Sequence, residues 1–126
     1  MKKEVLTHSK LHHPNVVMLI GMVFEENNYG VILEFMRYGA LNEFLAEYKP
    51  NTSWKLKVAC DIAVGMSYLH SRDSPIIHGD LKIHNILVGE GHKAKVGLQL
   101  FFSHMKSYLY VVIPTNKYFS IWLFDY

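Results

Sequence analysis

Short apolar runs and one long helical period alternate along this chain. Val16-Val17-Met18-Leu19-Ile20 and Val31-Ile32-Leu33-Glu34-Phe35 have strand length. The polar Glu25-Glu26-Asn27-Asn28 between them carries turn chemistry, so the pair predicts a hairpin. Gly39 marks a turn, after which Leu41, Phe44, Leu45 and Tyr48 recur at the spacing of a short amphipathic helix. Lys49-Pro50-Asn51-Thr52-Ser53 reads as a loop, with Thr52 or Ser53 available as N-cap. From Trp54 to His70 the pattern predicts the strongest helix. Leu56, Ala59, Ala63 and Met66 line one face and Val58, Ile62 and Leu69 the neighbouring one, a spread that predicts burial on most sides. Gly65 costs this helix up to about 1 kcal/mol against Ala, which points to a close approach there rather than a break. Ser71-Arg72-Asp73-Ser74-Pro75 ends it. Upstream, Lys2 to Leu11 reads as the last turns of a helix, stopped near His12-His13-Pro14 because proline disfavours helix at the residue before it.

The stretch from Ile77 to Val88 belongs to neither period. Apolar residues enter and leave a polar loop that holds Asp80, Lys82 and Asn85 at fixed offsets. Phosphoryl transfer uses such a trio: a carboxylate to orient the attacking hydroxyl, a cation near the moving phosphate, and an amide oxygen for Mg²⁺. An ordinary polar turn between strands is the plainer alternative. The sequence His78-Gly79-Asp80-Leu81-Lys82-Ile83-His84-Asn85 resembles the catalytic loop of eukaryotic protein kinases, written H-R-D-L-K-x-x-N, with Gly79 where Arg is usual.

That resemblance implies an α+β, partial protein-kinase-like fold over residues 1–97, with an unassigned hydrophobic tail over residues 98–126. It covers the end of the family's helix C, its strands 4 and 5, the hinge, helices D and E, the catalytic loop and strands 7 and 8. The implied roles follow position by position. Asp80 accepts a hydrogen bond from the substrate hydroxyl and takes up its proton, Lys82 sits by the γ-phosphate, and Asn85 binds Mg²⁺. Leu33 is the gatekeeper of the adenine pocket, Glu34-Phe35-Met36 forms the hinge whose backbone meets adenine, and Leu87 is the floor beneath it. Glu4 takes the place of the helix C glutamate, although no strand 3 lysine precedes it here, and an exposed helix glutamate is an equal alternative. His78 is a packing residue of the loop rather than a base, and His84 receives no role. A Lys two residues after the acid favours the serine/threonine and tyrosine-kinase-like branches. Gly79 has no side-chain donor with which to grip a phosphorylated activation loop.

The resemblance then stops. The family's second metal-binding residue, an Asp about 18 positions after the catalytic one, falls on Leu98, and the triplet reads Leu98-Gln99-Leu100. Leucine offers none of the hard oxygen ligands that Mg²⁺ wants. Beyond it, aromatic residues from Phe101 to Tyr126 follow no clear period. The tail is either a separate interaction segment or, the preferred reading, sequence read past a lost junction after Gly97, as with a retained intron. Tyr108-Leu109-Tyr110-Val111-Val112-Ile113 is an aggregation hazard if exposed.

Composition narrows the remaining classes. A net charge of +2 with scattered Lys and Arg gives no reason to expect nucleic acid. No segment reaches the roughly 20 apolar residues of a membrane span. The single cysteine, Cys60, excludes an internal disulfide framework and fits a cytoplasmic location; its apolar helical setting predicts a buried, inert thiol. The expectation is therefore a kinase-domain fragment whose family reaction uses ATP, Mg²⁺ and a protein substrate, the isolated chain being inactive. The alternative is a non-catalytic, pseudokinase-like binding module.

Overall fold

The computed structural model describes residues 9–25, 28–98, 108–113 and 120–124; within residues 23–31, 108–113 and 120–124 only the backbone is described. The chain divides into two compact units, a sheet unit containing residues 18–35 and the two tail strands, and a mixed unit of residues 13–17 and 36–99.

In the sheet unit, β1 (Leu19–Glu25) and β2 (Asn28–Glu34) form the expected antiparallel hairpin, closing on the Glu25–Asn28 pair. Glu34 fastens the open end: its N–H donates to Met18 O at 3.0 Å, and its Oε1 accepts from Met18 N–H at 2.8 Å. β1 starts later than the apolar run suggests. Val16 and Val17 leave the hairpin because the turn at Pro14-Asn15 brings them to another strand, where Val17 N–H donates to Val96 O at 2.9 Å. The tail supplies β5 (Tyr108–Ile113), parallel to β2, and β6 (Ser120–Phe124), antiparallel to β5. The sheet order is β1-β2-β5-β6. The hazard segment 108–113 is thus an inner strand, bonded on both sides.

The mixed unit begins with a turn at Gly39, whose φ of +66° is a left-handed conformation that glycine adopts without a Cβ penalty. Helix α1 (Leu41–Tyr48) buries Leu41 and Phe44, as its periodicity predicts. Helix α2 (Thr52–His70) starts earlier than expected. Its N-cap is Asn51, whose side-chain oxygen accepts from Trp54 N–H at 2.9 Å, so Thr52 and Ser53 are helical rather than capping. Two short strands, β3 (Ile86–Val88) and β4 (Ala94–Val96), pair antiparallel beside α2. Leu69, Ile86, Val16, Val17, Val88 and Val96 form the fully buried centre; each such side chain contributes about 1.5–3 kcal/mol.

Two burial expectations fail on α2. Only Val58, Gly65 and Leu69 are buried, while Leu56 is 63 % exposed and Val64 50 %. Cys60 is exposed too, and the expected inert, buried thiol is an accessible one. The reason is geometric: the apolar residues spread around the helix, but among the described residues only the stripe through Gly65 meets other elements. There the approach is close. A Cβ on Gly65 would lie 2.5 Å from Asn15 O and 3.2 Å from Val96 Cγ2. Of the helix expected over residues 2–11, residues 1–8 lie outside the described residues, and Ser9-Lys10 forms a turn. Among the described residues no helix is long and apolar enough to cross a membrane.

Candidate active site

The loop between α2 and β3 is held at both ends by backbone. Ile76 N–H donates to Leu69 O at 3.0 Å, fastening the entry to the last turns of α2. At the exit, a 3-10 turn over Ile83–Asn85 leads directly into β3, with Asn85 N–H donating to Lys82 O at 2.9 Å. Gly97 N–H donates to Asn85 O at 2.8 Å, which ties the turn to the end of β4.

His78 is the internal brace. It is only 5 % exposed. Asp80 N–H donates to its Nδ1 at 3.2 Å, which leaves Nε2 protonated and donating to Gly97 O at 2.7 Å. One neutral ring therefore holds the backbone of Asp80 against β4, which agrees with a packing rather than a proton-transferring role. Gly79 makes this two-residue closure possible. Its φ is +77°, in the left-handed region, although a Cβ there would touch nothing within 4 Å. Sequence reasoning treated Gly79 only as a missing Arg. The His-Gly-Asp tripeptide entering a polar loop was the available signal for a positive φ.

Asp80, Lys82 and Asn85 converge. Lys82 Nζ lies 3.1 Å from Asp80 Oδ2. Asn85 Nδ2 donates to Asp80 O at 2.6 Å and approaches Asp80 Oδ2 at 3.3 Å. Because a backbone carbonyl only accepts, the amide nitrogen is fixed on the Asp80 side, and Asn85 Oδ1 is turned the other way. Both charged side chains remain about half exposed. The Asp80 carboxyl is held below the usual carboxylate range, first by its hydrogen bond from Lys82; desolvation opposes this, and the Lys82 charge and the Asn85 amide add to it. The group is thus ionised at neutral pH. Any stabilisation it gives is present above the unfolded-state value and fades as pH falls through the lowered folded-state value.

The other expected site residues are distributed between the units. Leu87 lies in β3, bridged to Ala40, and Met36 is buried in the same unit, where its carbonyl accepts from Gly39 N–H at 3.0 Å. Leu33 and Glu34 lie in β2 of the sheet unit. Glu4 lies outside the described residues. Leu98, at the position of the expected second metal ligand, is buried at 5 % exposure. Asn85 offers an oxygen suited to Mg²⁺, whereas Leu98 does not. Sequence reasoning also missed Asp61 and Asn15, which anchor β4: Asp61 Oδ2 accepts from Ala94 N–H at 3.2 Å, and Asn15 Nδ2 donates to Ala94 O at 3.0 Å.

Comparison with known sequences adds the following. The model of the protein tyrosine and serine/threonine kinase family matches residues 1–116. A putative serine/threonine-protein kinase/receptor of Acanthamoeba polyphaga mimivirus is 38% identical over 98 residues, covering 76% of this chain and 6% of that protein. The serine/threonine-protein kinase CTR1 of Arabidopsis thaliana is 37% identical over 98 residues, 75% of this chain and 12% of its own length. The probable serine/threonine-protein kinase drkD of Dictyostelium discoideum is 38% identical over 109 residues, 82% of this chain and 8% of its own. The chain thus spans a small part of the length of the curated relatives it matches.

Proposed function

The chain belongs to the protein kinase family, and we propose that its loop from His78 to Asn85 acts on the terminal phosphate of bound ATP, on its way to a protein serine, threonine or tyrosine hydroxyl. The names of the relatives favour serine and threonine. The observation that carries this reading is the meeting of a carboxylate, an ammonium and a carboxamide within 3.3 Å on one braced loop.

In this proposal Asp80, ionised and oriented by His78 and Asn85, accepts the hydrogen bond of the attacking hydroxyl and receives its proton as transfer completes. Lys82, already beside Asp80, offsets negative charge on the departing phosphoryl oxygens. Magnesium, when bound, supplies further neutralisation of the phosphates, and Asn85 would hold it through Oδ1. Leu33, Glu34, Met36 and Leu87 are proposed for the adenine end, and Glu4 for the position of the helix C glutamate. A reducing, cytoplasmic setting suits the single cysteine.

Leu98 limits the reaction. With no oxygen at that position, the triphosphate loses part of the positioning and neutralisation that make up nearly all the catalysis available. We therefore expect no measurable phosphoryl transfer by residues 1–126 alone. The same buried Leu98 favours a second reading, a pseudokinase-like module that binds a protein partner without catalysis. Thermal melting separates the two. A shift with Mg·ATP that Asn85→Ala removes supports the phosphoryl-transfer reading; a shift only with a protein partner supports the binding module. Magnesium-dependent phosphorylation by the isolated chain, abolished by Asp80→Asn, would overturn the expected inactivity. The tail after Gly97 is proposed to follow a lost junction, which a spliced transcript continuing through the codon for Tyr126 would disprove.

A further inference from the structure

The four-stranded sheet has two outer edges, and they are built differently. At one, β1 carries a register irregularity between Leu19 and Gly21, contains a glycine and ends in Glu25. A bulge and a charge blunt an edge against pairing with another strand, and a glycine weakens it. At the other, β6 reads Ser-Ile-Trp-Leu-Phe, with no charge, proline or glycine. Its ladder with β5 runs in unbroken register from Tyr108–Phe124 to Val112–Ser120. Among the described residues no strand lies beyond β6. Alternate backbone N–H and C=O groups of an edge strand point away from its partner, and nothing in the composition of β6 discourages a further strand from taking them.

We propose that β6 of a second copy of this chain occupies that edge, antiparallel, across a two-fold axis at Trp122. A five-residue strand pairs with itself in full register about its middle residue: Ser120 faces Phe124 of the other copy, Ile121 faces Leu123, and Trp122 faces Trp122. An uncharged strand meets its own copy without electrostatic cost, and its aromatic and branched residues favour cross-strand pairing. Such an interface is isologous, so it closes at two copies. The outermost strands of the joined sheet are then the two β1 strands, whose blunted edges stop growth. The proposal does not depend on the phosphoryl-transfer reading.

Sedimentation of the full 126-residue chain over a concentration series tests it. The expected result is a monomer–dimer equilibrium with no larger species. Trp122→Lys sets two ammonium groups opposite each other and removes the aromatic pair, and is expected to weaken the dimer roughly tenfold or more. Ile20→Lys, an exposed position on β1, is expected to leave it unchanged. Hydrogen exchange on the unsubstituted chain gives an independent answer should Trp122→Lys not fold. Amides in 120–124 are expected to slow as concentration rises, while those in 19–25 keep their rate. A monomer at every concentration, growth beyond the dimer, a dimer indifferent to Trp122→Lys in a folded variant, or protection rising equally at both edges would each overturn the proposal.

Discussion

Replacing Gly65 by Ala tests how tightly α2 is seated on the strand that braces the candidate loop. On an open helix this change is stabilising by up to about 1 kcal/mol, because alanine restricts the unfolded chain and favours helix. Here the added methyl would stand 2.5 Å from Asn15 O, with Asn15 C and Val96 Cγ2 both at 3.2 Å. Asn15 has little freedom to retreat. Its carbonyl accepts from Val96 N–H at 2.8 Å, its side chain donates to Ala94 O at 3.0 Å, and its own N–H donates to His13 Nδ1 at 3.0 Å. Either the contact is compressed, at about 1–3 kcal/mol, or the hydrogen bonds of Asn15 give way at about 1 kcal/mol each. After the helix-propensity gain, the net expectation is a loss of about 1–2 kcal/mol, or a fall in Tm of roughly 4–8 °C. The assay is urea and thermal unfolding followed by helical circular dichroism, since both described helices lie in this unit. A Gly65→Ala variant as stable as the parent, or more so, would refute the close approach. It would also weaken the claim that α2, Asn15 and β4 form one support for Gly97 and, through it, His78.

Other expectations follow from the same geometry. Gly79→Ala, despite open space around it, is expected to cost about 1–2 kcal/mol because its φ of +77° lies in the left-handed region; an unchanged melting curve would contradict this. Lys82→Ala removes the leading cause of the lowered Asp80 value. In an NMR titration the Asp80 carboxyl should then move up towards the ordinary carboxylate value, and no movement would refute the pairing. Leu98→Asp buries an unpaired carboxylate and should destabilise the chain in chelator by about 2 kcal/mol or more. Magnesium should restore part of that loss if Asn85 and position 98 can share an ion, and an equal loss with and without magnesium would show that they cannot.

What the sequence revealed was mostly what is local along the chain. Asp80, Lys82 and Asn85 lie within one short loop, so their offsets alone placed them together, and the structure has them in contact. The β1–β2 hairpin and α1 were visible for the same reason, since turn residues and periodicity act between neighbours. Features that depend on distant partners were not visible. Val16 and Val17 have apolar character suited to either strand, and only β4, far along the chain, takes them from the hairpin. The exposure of Leu56 and Cys60 follows from what does not pack against α2, which periodicity cannot report. Likewise β5 joins β2 in parallel although the residues of the mixed unit intervene in sequence, a pairing that no local pattern encodes. The roles of Leu33, Glu34 and Met36 rest on resemblance, and Glu4 lies outside the described residues.

The claim that the His78–Asn85 loop handles nucleotide phosphate meets its most direct test in paramagnetic NMR, with Mn²⁺ standing in for Mg²⁺. In the presence of ATP, trace Mn²⁺ should broaden the side-chain amide of Asn85 and the backbone signals of Asp80 and Lys82 before those of the first turn of α2, and Asn85→Ala should abolish the effect on the loop. Nucleotide binding with these signals left sharp, or broadening that Asn85→Ala does not alter, would contradict the account.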